Sequence, residues 1–395
     1  MQKKMQRTVT KKMQRTVTVL GSTGSVGRQT MQVIRELGVP VYGISGGKNS
    51  RLLEEQIRLF HPAVCAVADE RAARDLCVRT ADLSVQITAG TQAIEELAAQ
   101  KHAQLVYNSI LGTAGLSPTL AAIESGHDIA LSNKETLVAA GAYVMQRARE
   151  KHVRIIPVDS EHCAIAQCLC GKTRRQVKRL ILTCSGGPYF GYTTEQLQGV
   201  TKEHTLAHPT WHMGAKITVD CATLMNKGLE LIEAMHLFSI PPEKIDIVIH
   251  PESIIHSMVE YIDHAVLAQM AVPDMRLCIQ YALTAPQRYP SHVDQLDFAR
   301  IGTLRFFEPD EQVFPALHLA RECAKAGGIL PCVMSAANET AVDAFLQGKL
   351  SFDRIVPLVQ HTVTRTVNLQ QPTLADIYQA DLQARELARE ILTAL

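Results

Sequence analysis

Three features of the sequence predict an α/β chain built in three parts. A short β-branched run, Thr16–Leu20, leads into a glycine turn and then a helical pattern through Leu37. Strand-like apolar runs and helical patterns then alternate as far as Val158. Beyond about residue 311 only a helical pattern remains. Strict alternation predicts a doubly wound, Rossmann-like parallel sheet for residues 13–158. Residues 159–284 alternate less regularly and read as an α+β domain, 285–310 as a linker, and 311–395 as a helical bundle.

The length of 395 residues exceeds what one ordinary core supports. With 40 basic and 39 acidic residues the formal charge is +1. That balance argues against a nucleic-acid or polyanion surface. No apolar run is long enough to span a bilayer, and no apolar segment of the kind that directs export follows the basic start. The ten cysteines form no CxxC pair and no zinc spacing, so they read as free thiols in a reducing cytoplasm. Lys3–Thr10 and Lys11–Thr18 are the same octapeptide. We read Met13 as the functional start and keep residues 1–12 out of the fold.

The first strand ends in Gly21-Ser22-Thr23-Gly24-Ser25-Val26-Gly27. Strand, glycine turn and helix in that order form a cradle for a dinucleotide phosphate at a helix N-terminus. The spacing is GxxGxxG, not the commoner GxGxxG, and a plain tight turn is the alternative. The second strand, Val39–Ser45, runs into Gly46-Gly47-Lys48-Asn49-Ser50-Arg51, with no acid to hold a ribose 2′-hydroxyl. Those residues suit a 2′-phosphate, so NADP is expected over NAD. Ala63–Ala68, Leu105–Asn108 and Asp128–Leu131 are the next strands. Ser132-Asn133-Lys134-Glu135 follows the last of them, at the carboxyl end where ligands bind in such sheets.

Val153–Val158 is a further strand, and Asp159-Ser160-Glu161 follows at once. Two carboxylates one residue apart are costly to bury unpaired and suit a hard divalent cation; a solvated turn is the other reading. Arg179–Thr183 leads into Cys184-Ser185-Gly186-Gly187-Pro188, either an anion nest or a plain glycine turn. His204, His208 and His212 are four apart, but Pro209 interrupts the helix that a zinc site would need. The segment reads better as a loop carrying Trp211, the only tryptophan, over a polar site. Asn226 is expected to cap a helix running to about Phe238 that brings Asn226, Lys227 and Glu230 to one surface. Near the end, Leu374, Ile377, Ala384, Leu387, Ile391 and Leu395 form a helical stripe, with Thr373 and Asp376 as a capping box.

Taken together, GSTGSVG, GGKN, SNKE, PVDSEH, SGGP, HPTWHMG, NKGLE and PESIIHSMV resemble, in order, the 1-deoxy-D-xylulose 5-phosphate reductoisomerase family. The resemblance implies an NADPH- and metal-dependent oxidoreductase of non-mevalonate isoprenoid biosynthesis. Its product is 2-C-methyl-D-erythritol 4-phosphate. It implies Mn²⁺ or Mg²⁺ on Asp159, Glu161 and Glu230, with Lys134 and His208 also catalytic. Ser185, Cys221, Asn226 and Lys227 then hold the substrate phosphate. Lys134, Ser160, Glu161, His208 and Glu230 meet the rest of the substrate, and the Trp211 loop closes as a flap. Thr23, Gly24, Ser25, Val26, Gly47, Lys48, Asn49, Asn133, Glu135 and Gly214 line the NADPH site. The family is homodimeric, so the expected partner is a second copy, with no nucleic acid and no membrane. Cys221 stands where the family usually has serine, and a thiol is the weaker donor. From the adjacent lysine and helix start we expect its thiol to be reactive when the site is empty. A simple NADP-dependent dehydrogenase has no need of three carboxylates for a cation. A nucleotide sensor needs only the first domain.

Overall fold

The computed structural model of the chain describes residues 15–207, 210, 211 and 213–394. The duplicated start, His208 and His212 lie outside the described residues. The chain divides into two units.

In the first unit, seven strands form one parallel sheet in the order β4-β3-β2-β1-β5-β6-β7. They are β1 (Val17–Leu20), β2 (Val41–Gly46), β3 (Val64–Val67), β4 (Gln86–Ala89), β5 (Leu105–Asn108), β6 (Asp128–Leu131) and β7 (Ile155–Pro157). The crossover helices are α1 (Ser25–Leu37), α2 (Ser50–Phe60), α3 (Glu70–Arg79), α4 (Thr91–Ala98), α5 (Leu116–Glu124) and α6 (Lys134–Glu150). Strand order reverses between β1 and β5, which opens a crevice at their carboxyl ends. The glycine turn lies there. Gly21 has φ 77°, and a Cβ on it would come within 3.0 Å of the Ser109 backbone. A Cβ on Gly27 would overlap the Gly21 carbonyl, so α1 reaches the turn only with glycine at that position.

The doubly wound reading of the first part therefore holds. It missed β4, an edge strand whose side chains are all at least part-exposed and which therefore shows no apolar run.

The second unit takes residues 134–146, 159–274 and 292–395. It opens with residues 134–146 of α6 and continues with α7 (Ser160–Cys168), β8 (Val177–Cys184), α8 (Thr194–Leu197), α9 (Lys202–Leu206), α10 (Ala215–Ala222) and α11 (Met225–Phe238). The strands β9 (Ile245–Ile249), β10 (Ile255–Tyr261) and β11 (Val266–Met270) complete a mixed sheet in the order β11-β10-β8-β9. After α12 (Met275–Thr284) come α13 (Phe298–Ile301), α14 (Ala316–Ala326), α15 (Leu330–Leu346), α16 (Ile355–Arg365) and α17 (Leu374–Ala394). Thr373 and Asp376 cap α17 reciprocally, and Ile377, Ala384 and Ile391 face inward, as the stripe requires.

These units do not follow the expected domain boundaries: residues 134–146 fall in the second unit, which also takes the C-terminal helices. Met275–Ser291 belongs to the first unit, because Ile279, Ala282 and Leu283 of α12 join its core. The expected linker is partly structured, since Phe307 pairs with Ile249 beside β9.

Two close approaches fix α11, which carries the central residues of the candidate site. A Cβ on Gly228 would come within 2.5 Å of the Ala320 Cβ on α14. A Cβ on Gly141 would overlap the His236 ring, beside the kink at Ala140 in α6. Burial lowers the His236 pKa from 6.5 to about 4. A depressed folded pKa makes His236 stabilising above 6.5, with that contribution lost as pH falls toward 4. Acid unfolding followed by circular dichroism should therefore show less stability lost between pH 6.5 and 4 in His236→Gln than in the parent chain, whatever their difference at neutral pH.

Candidate active site

The second unit buries an unusual density of charge. Asp159 precedes α7 and caps it, its Oδ1 accepting from the Glu161 backbone at 3.2 Å. Glu161 sits in the first turn of α7, and Glu230 lies two turns into α11. Carboxylate oxygens from all three lie within 4.8 Å of one another. Lys134, at the first position of α6, donates to Asp159 Oδ2 at 2.9 Å, Glu230 Oε1 at 2.9 Å and Asn226 Oδ1 at 2.8 Å. Lys227 donates to Glu161 Oε1 at 2.8 Å and to Glu230 Oε2. Ser160 donates its hydroxyl to Glu161. Lys134, Lys227 and Glu230 are 6%, 3% and 1% exposed, so Lys227 and Glu230 are not a solvent-facing pair along the helix.

The protonation states follow from this crowding. Burial opposes the Lys134 charge, but Asp159, Glu230 and Glu233 outweigh it and hold the ammonium well above its ordinary pKa. Burial also opposes ionisation of Asp159, yet Lys134 and His162 hold it well below the usual carboxylate range. Glu161 has less help: burial and then Glu230 push it up to about 7. The three carboxyl groups bring hard oxygen donors to one point. That donor set fits Mg²⁺ or Mn²⁺.

Beside this cluster lies a loop of the kind that can hold an anion. Gly186 and Gly187 after β8 have φ of 84° and 69°, and Gly187 N–H donates to Ser185 Oγ at 3.2 Å. A Cβ on Gly187 would stand 2.7 Å from the Cys221 carbonyl, so glycine there lets the loop press against α10. Two expectations need correction here. Asn226 does not cap α11, because Leu224 takes the left-handed cap position at φ 61° and Asn226 turns inward to donate to Glu230. The Cys221 thiol is not activated in this state, since burial and Glu230 raise its pKa against the pull of Lys134 and Lys227.

The residues expected to hold the nucleotide divide between the units. Thr23, Gly24, Ser25 and Val26 form the turn and the first residues of α1. Gly47 and Lys48 are exposed, and Asn49 caps α2 by accepting from Leu52 N–H at 3.1 Å. Asn133 is buried and donates its amide to the Ile110 and Gly112 carbonyls, which shapes the loop after β5. The glycine turn, which Gly27 lets close against the start of α1, fits a dinucleotide phosphate at that helix N-terminus. Gly214 precedes α10, and Glu135 pairs with Lys216 at 2.7 Å in the second unit. Trp211 faces the ring of His256, with centroids 6.1 Å apart.

Sequence reading missed His162 and Glu233. The His162 imidazole is wholly buried, its Nε2 2.8 Å from the Glu230 carbonyl and its Nδ1 3.2 Å from Glu233 Oε2 and 3.4 Å from Asp159 Oδ1. The available signals were a histidine directly after the paired acids and a second glutamate one helical turn beyond Glu230.

Residues 17–141 match the sequence family described as 1-deoxy-D-xylulose 5-phosphate reductoisomerase. Residues 155–238 and 270–387 match two descriptions of its C-terminal domains. The chain belongs to the 1-deoxy-D-xylulose 5-phosphate reductoisomerase family. A reductoisomerase of Caldanaerobacter subterraneus is 49% identical over 371 residues, covering 93% of this chain and 97% of the relative. One from Pelotomaculum thermopropionicum is 47% identical over 380 residues, covering 95% and 98%. Among solved structures, the Zymomonas mobilis reductoisomerase in complex with NADPH superposes with a TM-score of 0.91 at 42% identity, covering 96% of this chain and all of that one. A reductoisomerase in complex with NADPH, fosmidomycin and magnesium gives 0.90 at 35% identity, covering 96% and 98%. For a reductoisomerase chain, the buried cluster is a candidate catalytic centre in a unit of its own.

Removing one partner from a buried pair leaves an uncompensated charge and costs about 3–5 kcal/mol. Urea unfolding of metal-free Lys134→Met should show a loss of that order. A loss under about 1 kcal/mol would mean that the cluster is solvated.

Proposed function

We propose that this chain isomerises and reduces 1-deoxy-D-xylulose 5-phosphate to 2-C-methyl-D-erythritol 4-phosphate, using NADPH and a divalent cation held by Asp159, Glu161 and Glu230. The observation that carries the reading is the convergence of those three carboxylates, from two separate helices, between Lys134 and Lys227. When bound, the cation supplies a Lewis acid for the vicinal oxygens of the hydroxy-ketone, and NADPH supplies the hydride.

The chain's own residues do the rest. Lys227, Asn226, Ser185 and Cys221 take the substrate phosphate, far from the reacting carbons, and orient the substrate. Lys134 presents an ammonium to the reacting end, and Ser160 presents a hydroxyl; His208 and Trp211 complete that face. Both lysines now bond carboxylate oxygens that a cation also needs, so they are poised to turn toward substrate oxygens once those carboxylates are otherwise engaged. Thr23–Val26 with Gly47, Lys48 and Asn49 cradle the nucleotide, joined by Asn133, Glu135 and Gly214. Lys48 and Asn49 stand where an acid would repel a 2′-phosphate, which favours NADPH over NADH.

The partner we propose is a second copy of this chain. β11 is an outer strand of its sheet, and its Val266 and Leu267 are 47% and 42% exposed. An unpaired apolar edge of that kind is a template for strand addition. Light scattering should give the mass of two chains. We place the enzyme in the cytoplasm, in keeping with cysteines that form no disulfide among the described residues.

The central test is metal dependence. NADPH oxidation with the pentulose phosphate should stop on addition of EDTA and return with Mn²⁺. Mn²⁺ should also raise the melting temperature of the parent chain but not of Glu230→Gln, because only a protein that binds the ion is stabilised by it. NADPH affinity should be the same in both. A Glu230→Gln protein that still responds to Mn²⁺ removes Glu230 from the ligand set.

Replacing Cys221 with serine restores a stronger donor at the phosphate. Cys221→Ser should keep kcat and lower KM for the substrate. An unchanged KM takes residue 221 out of the phosphate contacts.

A further inference from the structure

Asp220 is a buried carboxylate with no place in the chemistry above. It lies in the last turn of α10, immediately before Cys221, and is 1% exposed. Both its oxygens are held. Lys216, one turn earlier, donates to Oδ2 at 2.8 Å, and Asn338 Nδ2 donates to Oδ1 at 2.8 Å. Asn338 comes from the middle of α15, in the helical C-terminal region that shows no catalytic group of its own by sequence. It is wholly buried, and its own Oδ1 has no hydrogen-bond partner among the described residues. Burying an amide with one end unsatisfied carries a cost that its donor end must offset. Lys216 is shared, since it also donates to Glu135, the neighbour of Lys134, at 2.7 Å. One ammonium between two buried carboxylates leaves Asp220 short of a donor, and Asn338 supplies it without adding a charge.

The segment that Asp220 begins is tightly threaded. Thr223 Oγ1 donates to the Asp220 carbonyl at 3.2 Å and accepts from Met225 N–H at 3.3 Å. Leu224 sits at φ 61°, and α11 then starts with Asn226 and Lys227 in its first turn. The Asn338 bond therefore anchors to α15 the end of α10 from which the backbone runs on to Cys221, Asn226 and Lys227.

We propose that Asn338 is a positioning residue for the substrate phosphate, acting through Asp220 on the segment 220–227. The inference rests on the assignment of Ser185, Asn226 and Lys227 to that phosphate. It makes the C-terminal helices part of the active-site scaffold.

The test uses the full-length enzyme with Mn²⁺ and NADPH. Asn338→Leu keeps the branched side-chain skeleton and removes the donor. KM for 1-deoxy-D-xylulose 5-phosphate and Ki for the phosphonate fosmidomycin should both rise about tenfold, the loss of one hydrogen bond to a charged group. Affinity for NADPH and the Mn²⁺-induced melting shift should not change. Asp220→Asn should weaken the same two constants. The double variant should be no worse than the weaker single one, because both remove one interaction. Additive effects, or equal losses of NADPH and substrate affinity, would overturn the proposal. Should Asn338→Leu not fold, Asn338→Ser carries the same measurements. Ser185→Ala and Lys227→Met separate the two readings. If they raise KM and the Asn338 variants do not, Asn338 is structural. If they leave KM unchanged, the phosphate assignment itself fails.

Discussion

Burying three carboxylates with oxygens within 4.8 Å of one another is the constraint on which the rest of this structure depends. Such a cluster is unstable by itself, because desolvation and mutual repulsion both oppose it. The chain meets the problem with two lysines that arrive from different helices. Lys134 comes from the start of α6 and Lys227 from the first turn of α11. A wholly buried histidine links the start of α7 to α11, touching the Glu230 backbone with one nitrogen and facing Asp159 and Glu233 with the other. Each group is tolerable in the interior only because the others are there. The site is therefore a cooperative unit, in which losing one member exposes the rest to an uncompensated charge.

Glycine supplies the close approaches that this arrangement needs. Gly228 lies in NKGLE, between Lys227 and Glu230, where a ligand role is the natural guess. Its actual neighbour is Ala320 of α14, so it sets how near α11 packs to the C-terminal helices. Gly187 presses the anion loop against the Cys221 carbonyl, and Gly27 brings α1 onto the first turn. At all three positions the missing Cβ decides a backbone separation, which in turn decides where a functional side chain can reach.

Much of this was legible in the sequence, and the failures have physical causes. The glycine turn, the alternation to Val158 and the capping box of α17 are local signals, and each appears where local chemistry places it. The three carboxylates were legible through motif order, since nothing local links Asp159 to Glu230. β4 was invisible because an exposed edge strand has no apolar run. The return of α12 to the first unit was invisible because its partners are distant in the sequence. Asn226 was misread as a cap because Leu224 takes a left-handed conformation that its side chain does not advertise. Lys227 and Glu230 show the general limit. At i,i+3 on a helix they look like a solvent pair, and only the burial of α11 makes them part of a charge cluster.

Helix α6 is divided between the two units. One helix serves both: residues 134–146 belong to the second unit and 147–150 to the first. Ala140 breaks the helical geometry with φ −135° and ψ 23°, and Gly141 beside it admits the His236 ring of α11. A straight helix with a side chain at 141 could not rest on α11 at that point. Lys134 is carried by the buried half, so its position is set by α11 at two places, the His236 contact and its own bonds to Asn226 and Glu230. Glu135 adds a third tie through Lys216 to Asp220. Although Lys134 follows β6 directly in the sequence, it is fixed by the unit that holds the carboxylates. A lysine left on the loop after β6 would have only its own chain to hold it, and an ammonium facing three buried carboxylates needs a more rigid mount than a loop provides.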